Sequence, residues 1–156
     1  MLEIAQENGF EILDEVTALV RAAHDEAMQG TSEVFRPAID TYQALNDADM
    51  LLVYTARYGK RLVGAAVYIL ATRPHSAGEL VGVLDVVYVM PAYRRHGLTE
   101  QLLTRAEAAL QARGVSAVSA GVRNPVFGRW LQIHGYHYVE AYYEKELSWP
   151  QQSRLS

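Results

Sequence analysis

Three strand-length apolar runs follow one another through the middle of the chain: MLLVYTAR at 50–57, RLVGAAVYILA at 61–71 and ELVGVLDVVYV at 79–89. They are rich in Val, Ile, Leu and Tyr, residues that fit a pleated, half-buried surface. Tyr58-Gly59-Lys60 joins the first two as an antiparallel hairpin, and the third follows the Pro74 to Gly78 loop and stops at Pro91. A sheet of this kind needs helices to cover it. Ile12, Leu13, Val16, Leu19, Val20 and Ala23 recur at helical spacing between Phe10 and Met28. A shorter helix is expected near Ala38 to Asn46 with the stripe Ile39, Tyr42 and Leu45, and a short strand over residues 1–6 precedes both.

Beyond Gly97 the period changes. Leu98, Leu102, Leu103, Ala106, Ala109 and Leu110 make one face of a helix ending at Gly114. VSAVSAGV is then a strand reached through a helix, as parallel strands are. Asn124-Pro125 opens a further helix, with Asn able to cap and Pro tolerated in the first turn, and Gly135 ends it. HYVEAYYEKEL at 137–147 reads as a last strand. The expected fold is α/β: a mixed, mostly antiparallel sheet flanked by helices, with a parallel pair at its centre. At 156 residues there is room for one domain, placed at 1–149, followed by a loose tail at 150–156.

Composition closes several chemistries. With no cysteine, thiol nucleophiles, thiolate zinc sites and disulfide scaffolds are out of reach. No apolar run approaches the roughly 18–20 residues of a membrane span, and MLEIAQENGF lacks a basic segment followed by an apolar one, so a cytoplasmic protein is expected with no membrane partner. A net charge of −4, from 14 basic and 18 acidic residues, argues against a nucleic-acid partner despite Arg94, Arg95 and Arg105. His134 and His137 are parted by the helix-ending Gly135, and no metal is expected.

The junction VVYVMPAYRRHGLTEQLL carries the chemistry. A strand ends at a proline, and a loop bearing Arg94, Arg95, His96 and Gly97 runs into a helix whose unpaired N–H groups and dipole favour an anion. Neither G-x-x-x-x-G-K-[ST] nor G-x-G-x-x-G is present, which removes the main support for a P-loop or a Rossmann site.

Arg94-Arg95-His96-Gly97-Leu98-Thr99 resembles the [RQ]-x-x-G-x-[GA] motif of the GNAT superfamily of acyl-CoA-dependent N-acyltransferases. The likeness extends to element order, the V-x-x-x-x-R spacing from Val89 to Arg94, Asn124 after the next strand and Gly135-Tyr136 at the end of the last helix. It implies an N-acetyltransferase using acetyl-CoA as co-substrate, with the backbone of Arg94, Arg95, His96, Gly97, Leu98 and Thr99 holding the pyrophosphate. Val87, Tyr88 and Val89 would pair with the pantetheine arm, and Asn124 and Phe127 would extend the cofactor surface, although a helix-cap role also explains Asn124. The partner implied is an amine acceptor, a small molecule or a protein amine, on a wall that includes the first helices and the Gly30 to Pro37 loop. A homodimer is admitted.

Two positions depart from the family pattern. Thr99 stands where Gly or Ala is usual, and Leu131 stands where many members place a general-acid tyrosine. Tyr136, Tyr142, Tyr143 and His134 are near in sequence, and Tyr143 is carried as a catalytic candidate against a packing role. The base an ammonium acceptor needs is sought first at Asp85, a carboxylate inside an apolar strand. Pairing with an arginine or capping backbone N–H groups is the structural alternative. By strict alternation Asp85 shares a face with Val87 and Val89, unless a bulge, which the resemblance implies for this strand, changes the parity. His75 is a second candidate and Glu79 a weaker one. The rival to an enzyme is a degenerate GNAT-like module that binds CoA, or nothing, and serves as an interaction or structural protein.

Overall fold

In the computed structural model, which describes residues 1–147, the chain runs through β1 (Leu2–Glu7), α1 (Leu13–Ala27), α2 (Ile39–Asp47), β2 (Leu51–Tyr58), β3 (Arg61–Arg73) and β4 (Glu79–Val89). A 3-10 segment at Pro91–His96, unforeseen from the sequence, leads through Gly97 into α3 (Leu98–Ala112), β5 (Ala117–Ala120) and α4 (Pro125–Ile133). The backbone clusters into one compact unit, Met1–Gly121, and a second that begins at Val122. The tail expected over 150–156 lies outside the described residues.

The sheet is mixed, in the order β1-β2-β3-β4-β5, with every neighbouring pair antiparallel except β4 and β5. The parallel pair ends the described sheet instead of standing at its centre, because residues 137–147 form no strand. The pattern explains the correction. Tyr138-Val139 and Tyr142-Tyr143 are adjacent pairs, so pleating would send one member of each to the opposite face. All four side chains are exposed.

Alternation divides the strands between two helical layers. Leu51 and Val53 of β2 and Val67 of β3 pack with Val16 and Leu19 of α1, joined at the edge by Tyr42 and Leu45 of α2. The opposite face belongs to α3: a Cβ added at Gly64 would lie 3.2 Å from Leu102, and one at Gly82 would lie 3.2 Å from Leu110. Leu98, Leu102 and Leu110 are almost wholly buried, as are Leu52, Ala56, Ala66 and Tyr68 of the sheet. The apolar stripe read from Leu98 to Leu110 is therefore the surface that closes this layer.

One ion network ties three elements on the α1 face. Arg57 of β2 donates from Nε to Glu7 of β1 at 2.9 Å, and from Nη1 and Nη2 to Glu15 of α1 at 2.9 Å each. Thr55, the one buried polar residue of the described core, donates its hydroxyl to Glu7. Burial works to raise the Glu7 carboxyl, but the Arg57 and Thr55 hydrogen bonds outweigh it and hold the group below its ordinary range.

Leu102 is fully buried at the point where α3 meets Gly64. Replacing it with alanine should cost about 2–5 kcal/mol of unfolding free energy in urea titration, the span for a buried Leu that leaves a cavity. A loss below about 1 kcal/mol would mean that α3 does not close this layer.

Candidate functional site

β4 changes character halfway along. Its parallel pairing with β5 runs from Val81↔Ala117 to Leu84↔Ala120 and stops, while its antiparallel pairing with β3 continues to Gly64↔Val89. Among the described residues, Asp85–Val89 thus has strand geometry with no strand along one edge, where the Val89 C=O is met by the Arg94 side chain and the other backbone polar groups face no strand. A bulge sits at the same point: Val67 pairs with Val86 and Tyr68 with Leu84, leaving Asp85 as the extra residue. The bulge overturns strict alternation. Asp85 joins Val86, Tyr88 and Met90 on the α1 and α2 face, whereas Val87 and Val89 turn to the α3 face.

The loop that follows is shaped by its backbone. Gly97 takes φ 63° and ψ 25°, the left-handed conformation glycine adopts freely, and no side chain caps the first turn of α3. The first intrahelical bond runs from Gln101 N–H to Gly97 C=O at 3.0 Å, so the N–H groups of Leu98, Thr99 and Glu100 precede it. Arg95 and His96 are exposed, Thr99 is half-buried and Leu98 is an anchor in the core.

Arg94 does not stand free to meet an anion. Its Nε donates to Val89 C=O at 2.8 Å, which explains the V-x-x-x-x-R spacing: the arginine folds back onto the end of its own strand. Nη1 and Nη2 grip the two oxygens of Glu26, on α1, at 2.9 and 2.7 Å, and the guanidinium lies 5.2 Å from the Tyr88 ring. The hydrogen bonds from Arg94 hold the Glu26 carboxyl below its ordinary range. Glu26 was not foreseen as a site residue. Its signal is a carboxylate beside Asp25 near the C-terminal end of a helix, where the dipole opposes negative charge and a cationic partner is needed.

Asp85 is exposed, and its partner is a second residue missed from sequence. The Tyr42 hydroxyl of α2 donates to Asp85 Oδ2 at 2.6 Å. Burial, and then the adjacent carboxylate, push the Tyr42 hydroxyl well above the usual tyrosine range. His75 is exposed in the β3–β4 turn, beyond the Arg73↔Glu79 pair at its base. Glu79 is six positions from Asp85 along β4, so His75 lies about 20 Å or more from that carboxylate. Glu79 itself pairs with Arg73 at 3.3 Å.

The remaining candidates belong to the second unit. Asn124 caps α4, its Oδ1 accepting from Val126 N–H at 2.9 Å. Phe127 stacks on Trp130 with centroids 5.8 Å apart, and Trp130 on His134 at 3.8 Å. Leu131 is buried, Tyr142 and Tyr143 are exposed, and Gly135 takes the left-handed conformation that ends the helix.

The sequence profile of the Acetyltransferase (GNAT) family matches residues 17–129. Among solved structures, the chain is similar to a ribosomal-protein-alanine N-acetyltransferase from Brucella melitensis biovar Abortus 2308, at 21% identity over 95% of this chain and 100% of that one, with a TM-score of 0.70. It is similar to a predicted acetyltransferase with acetyl-CoA from Clostridium acetobutylicum, at 15% identity over 94% and 96% of the two chains and a TM-score of 0.74. A third is an aminoglycoside acetyltransferase from an uncultured soil metagenomic sample in complex with sisomicin, at 15% identity over 94% and 97% and a TM-score of 0.71. No match is found among curated proteins.

The Glu26–Arg94 pair yields a pH test. Because folding depresses the Glu26 pKa, its stabilisation is complete above the ordinary value of 4.5 and is lost as pH falls through the lower folded value. Glu26→Gln should therefore cost about 0.2–1 kcal/mol at neutral pH, the range of a partly exposed pair, with the gap to wild type closing as pH falls through the lowered folded value. Urea titrations at neutral pH and in a series of acidic buffers check this, and a gap independent of pH would show that the ion pair contributes nothing.

Proposed function

The chain belongs to the GNAT acetyltransferase family, and from that premise we propose that it moves an acetyl group from acetyl-CoA to a primary amine by direct attack in a ternary complex. The observation that carries this reading is the continuity of the unpaired β4 edge, Asp85–Val89, with the uncapped N-terminus of α3 behind Gly97. A strand edge with no neighbouring strand suits the amide-bearing pantetheine arm as an added strand would. Helix N–H groups a few residues further suit a pyrophosphate. Acetyl-CoA supplies an acyl carbon activated by its thioester. In this reading Val87, Tyr88 and Val89 hold the arm, and the backbone from Arg94 to Thr99 holds the phosphates. Arg95 adds charge, and Arg94 shapes the loop through Glu26.

Asp85 acts as the base. It takes one proton from the acceptor ammonium, and the freed nitrogen pair forms the C–N bond as the C–S bond breaks; the nitrogen gives its second proton to solvent to become the amide, and sulfur leaves on its electron pair and takes a proton from solvent. Thiolate is a good enough leaving group for Leu131 to stand where other members have a tyrosine. The relatives' printed names, an alanine N-acetyltransferase and an aminoglycoside acetyltransferase, make an alanine-initiated peptide and sisomicin the first acceptors to try. The protein is placed in the cytoplasm, where acetyl-CoA is available, and no helix among the described residues is long and apolar enough to cross a membrane.

Acetyl-CoA should stabilise the fold against heat by RT ln(1 + [L]/Kd), about 2.7 kcal/mol at 100 Kd. Gly97→Glu should abolish that shift by placing a carboxylate where phosphate sits. The left-handed backbone at Gly97 makes this variant somewhat less stable in its own right, so the ligand-induced difference is the readout. No shift at millimolar ligand would overturn the CoA site.

Asp85→Asn should lower turnover about 10²–10⁴-fold with acetyl-CoA binding unchanged, and the loss should shrink at high pH as the amine deprotonates in solution. Near-wild-type turnover at neutral pH would remove Asp85 from the mechanism. Acetyl-CoA binding with no turnover of any amine would favour the degenerate module.

A further inference from the structure

Two features of the acceptor face have so far been separate: a bulge that aims Asp85 at the helical layer, and a tyrosine on α2 that meets it. Tyr42 sits in the apolar stripe of α2 and packs at the margin of the core with Leu45, yet its hydroxyl projects past that margin to Asp85 Oδ2 at 2.6 Å. The contact spans 43 positions of sequence and is the hydrogen bond that the structure gives the Asp85 side chain. A carboxylate on an exposed strand edge rotates about two side-chain torsions, and fixing one oxygen leaves the other with a defined direction.

We propose that Tyr42 is the positioning residue for Asp85, holding Oδ2 so that Oδ1 alone receives the acceptor ammonium. This inference rests on the reading of Asp85 as the base. Tyr42 is half-buried and beside a negative charge, both of which favour its neutral form, so it remains a donor throughout the pH range in which an amine is acetylated. α2 follows the Gly30 to Pro37 loop directly, so the loop that walls the acceptor face and the group that orients the base belong to one continuous segment.

The test is a double-mutant cycle on acetyl transfer to the alanine-initiated peptide and to sisomicin. Tyr42→Phe keeps the ring in the core and deletes only the hydroxyl. It should lower kcat/KM for the amine roughly 10–30-fold, in keeping with loss of one hydrogen bond to a charged group, while KM for acetyl-CoA stays within about twofold. The Tyr42→Phe, Asp85→Asn double variant should be no slower than Asp85→Asn alone, because a residue that acts through Asp85 has nothing left to orient. If Tyr42→Phe costs nothing, or costs the same factor in the Asp85→Asn background, the positioning role is overturned while the base survives. If Asp85→Asn retains turnover, or the wild type acetylates neither acceptor, the base assignment fails and the inference fails with it. Thermal melts and acetyl-CoA binding by each variant separate these outcomes from misfolding.

Discussion

The loss of a neighbour for β4 after Leu84 is the constraint on which the rest of the site depends. Two parallel strands that pair for only four positions and then part leave the second half of β4 with one edge paired to β3 and, among the described residues, no strand along the other. Backbone polar groups in that state must find water, another strand or a ligand. The bulge at Asp85 falls at the point of parting, and the two are physically linked. An extra residue bends its strand and adds local twist, which carries the end of β4 away from the direction set by β5. One backbone irregularity thereby accompanies the opening of the edge and turns the only carboxylate of the strand interior toward the α1 and α2 face.

Charge is handled differently from what the loop sequence suggests. Arg94 and Arg95 together invite a picture of two cations waiting for phosphate, but Arg94 is neutralised by a bidentate carboxylate and tied to the end of its own strand. What the loop offers an anion is fixed backbone geometry, in the N–H groups behind Gly97, with Arg95 as a solvated charge nearby. Backbone dipoles held in place need no rearrangement when an anion arrives. A long cationic side chain has to give up its rotamer freedom to do the same. The ion pair serves that backbone: it fastens the residue that begins the motif so that the glycine and the helix start fall in register.

The elements read well from the sequence because their signals are local. The Gly59 hairpin, the Leu98 to Leu110 stripe and the Asn124 cap each formed from residues within a few positions of one another, whose physics needs no distant partner. The failures share the opposite property. Strict alternation alone would put Asp85 on the face of Val87 and Val89, and the bulge left open as the alternative decides otherwise, because the parity of a bulged strand is set by its pairing with β3. Tyr42 reads from sequence only as a stripe residue and Glu26 carries no local signal of its partner, since each meets that partner 43 or 68 positions away. The segment 137–147 has the composition of a strand, but adjacent apolar pairs give it no single apolar face. The open edge of β4 was expected only through the family likeness, because no feature of VVYV says on which side it will lack a neighbour.

α1 is held at both of its ends. Its first turn is fastened through Glu15 to Arg57 of β2, and its last turn through Glu26 to Arg94 beyond β4. Both contacts are two-pronged, and a helix tied at both ends across the sheet has little freedom to slide or tilt. The chain that follows is held by a lighter hand. Phe35 rests against His24, with ring centroids 5.5 Å apart, and under the guanidinium of Arg21 at 4.8 Å, while Val34 and most of the neighbouring residues are exposed. Then α2 begins and returns a side chain to the site through Tyr42. Between two fixed points, the end of α1 and the Tyr42–Asp85 bond, the segment is mostly exposed. Under the proposed function, a scaffold so divided would keep the transfer chemistry on strands and helix ends and leave recognition of the amine to the exposed segment between them.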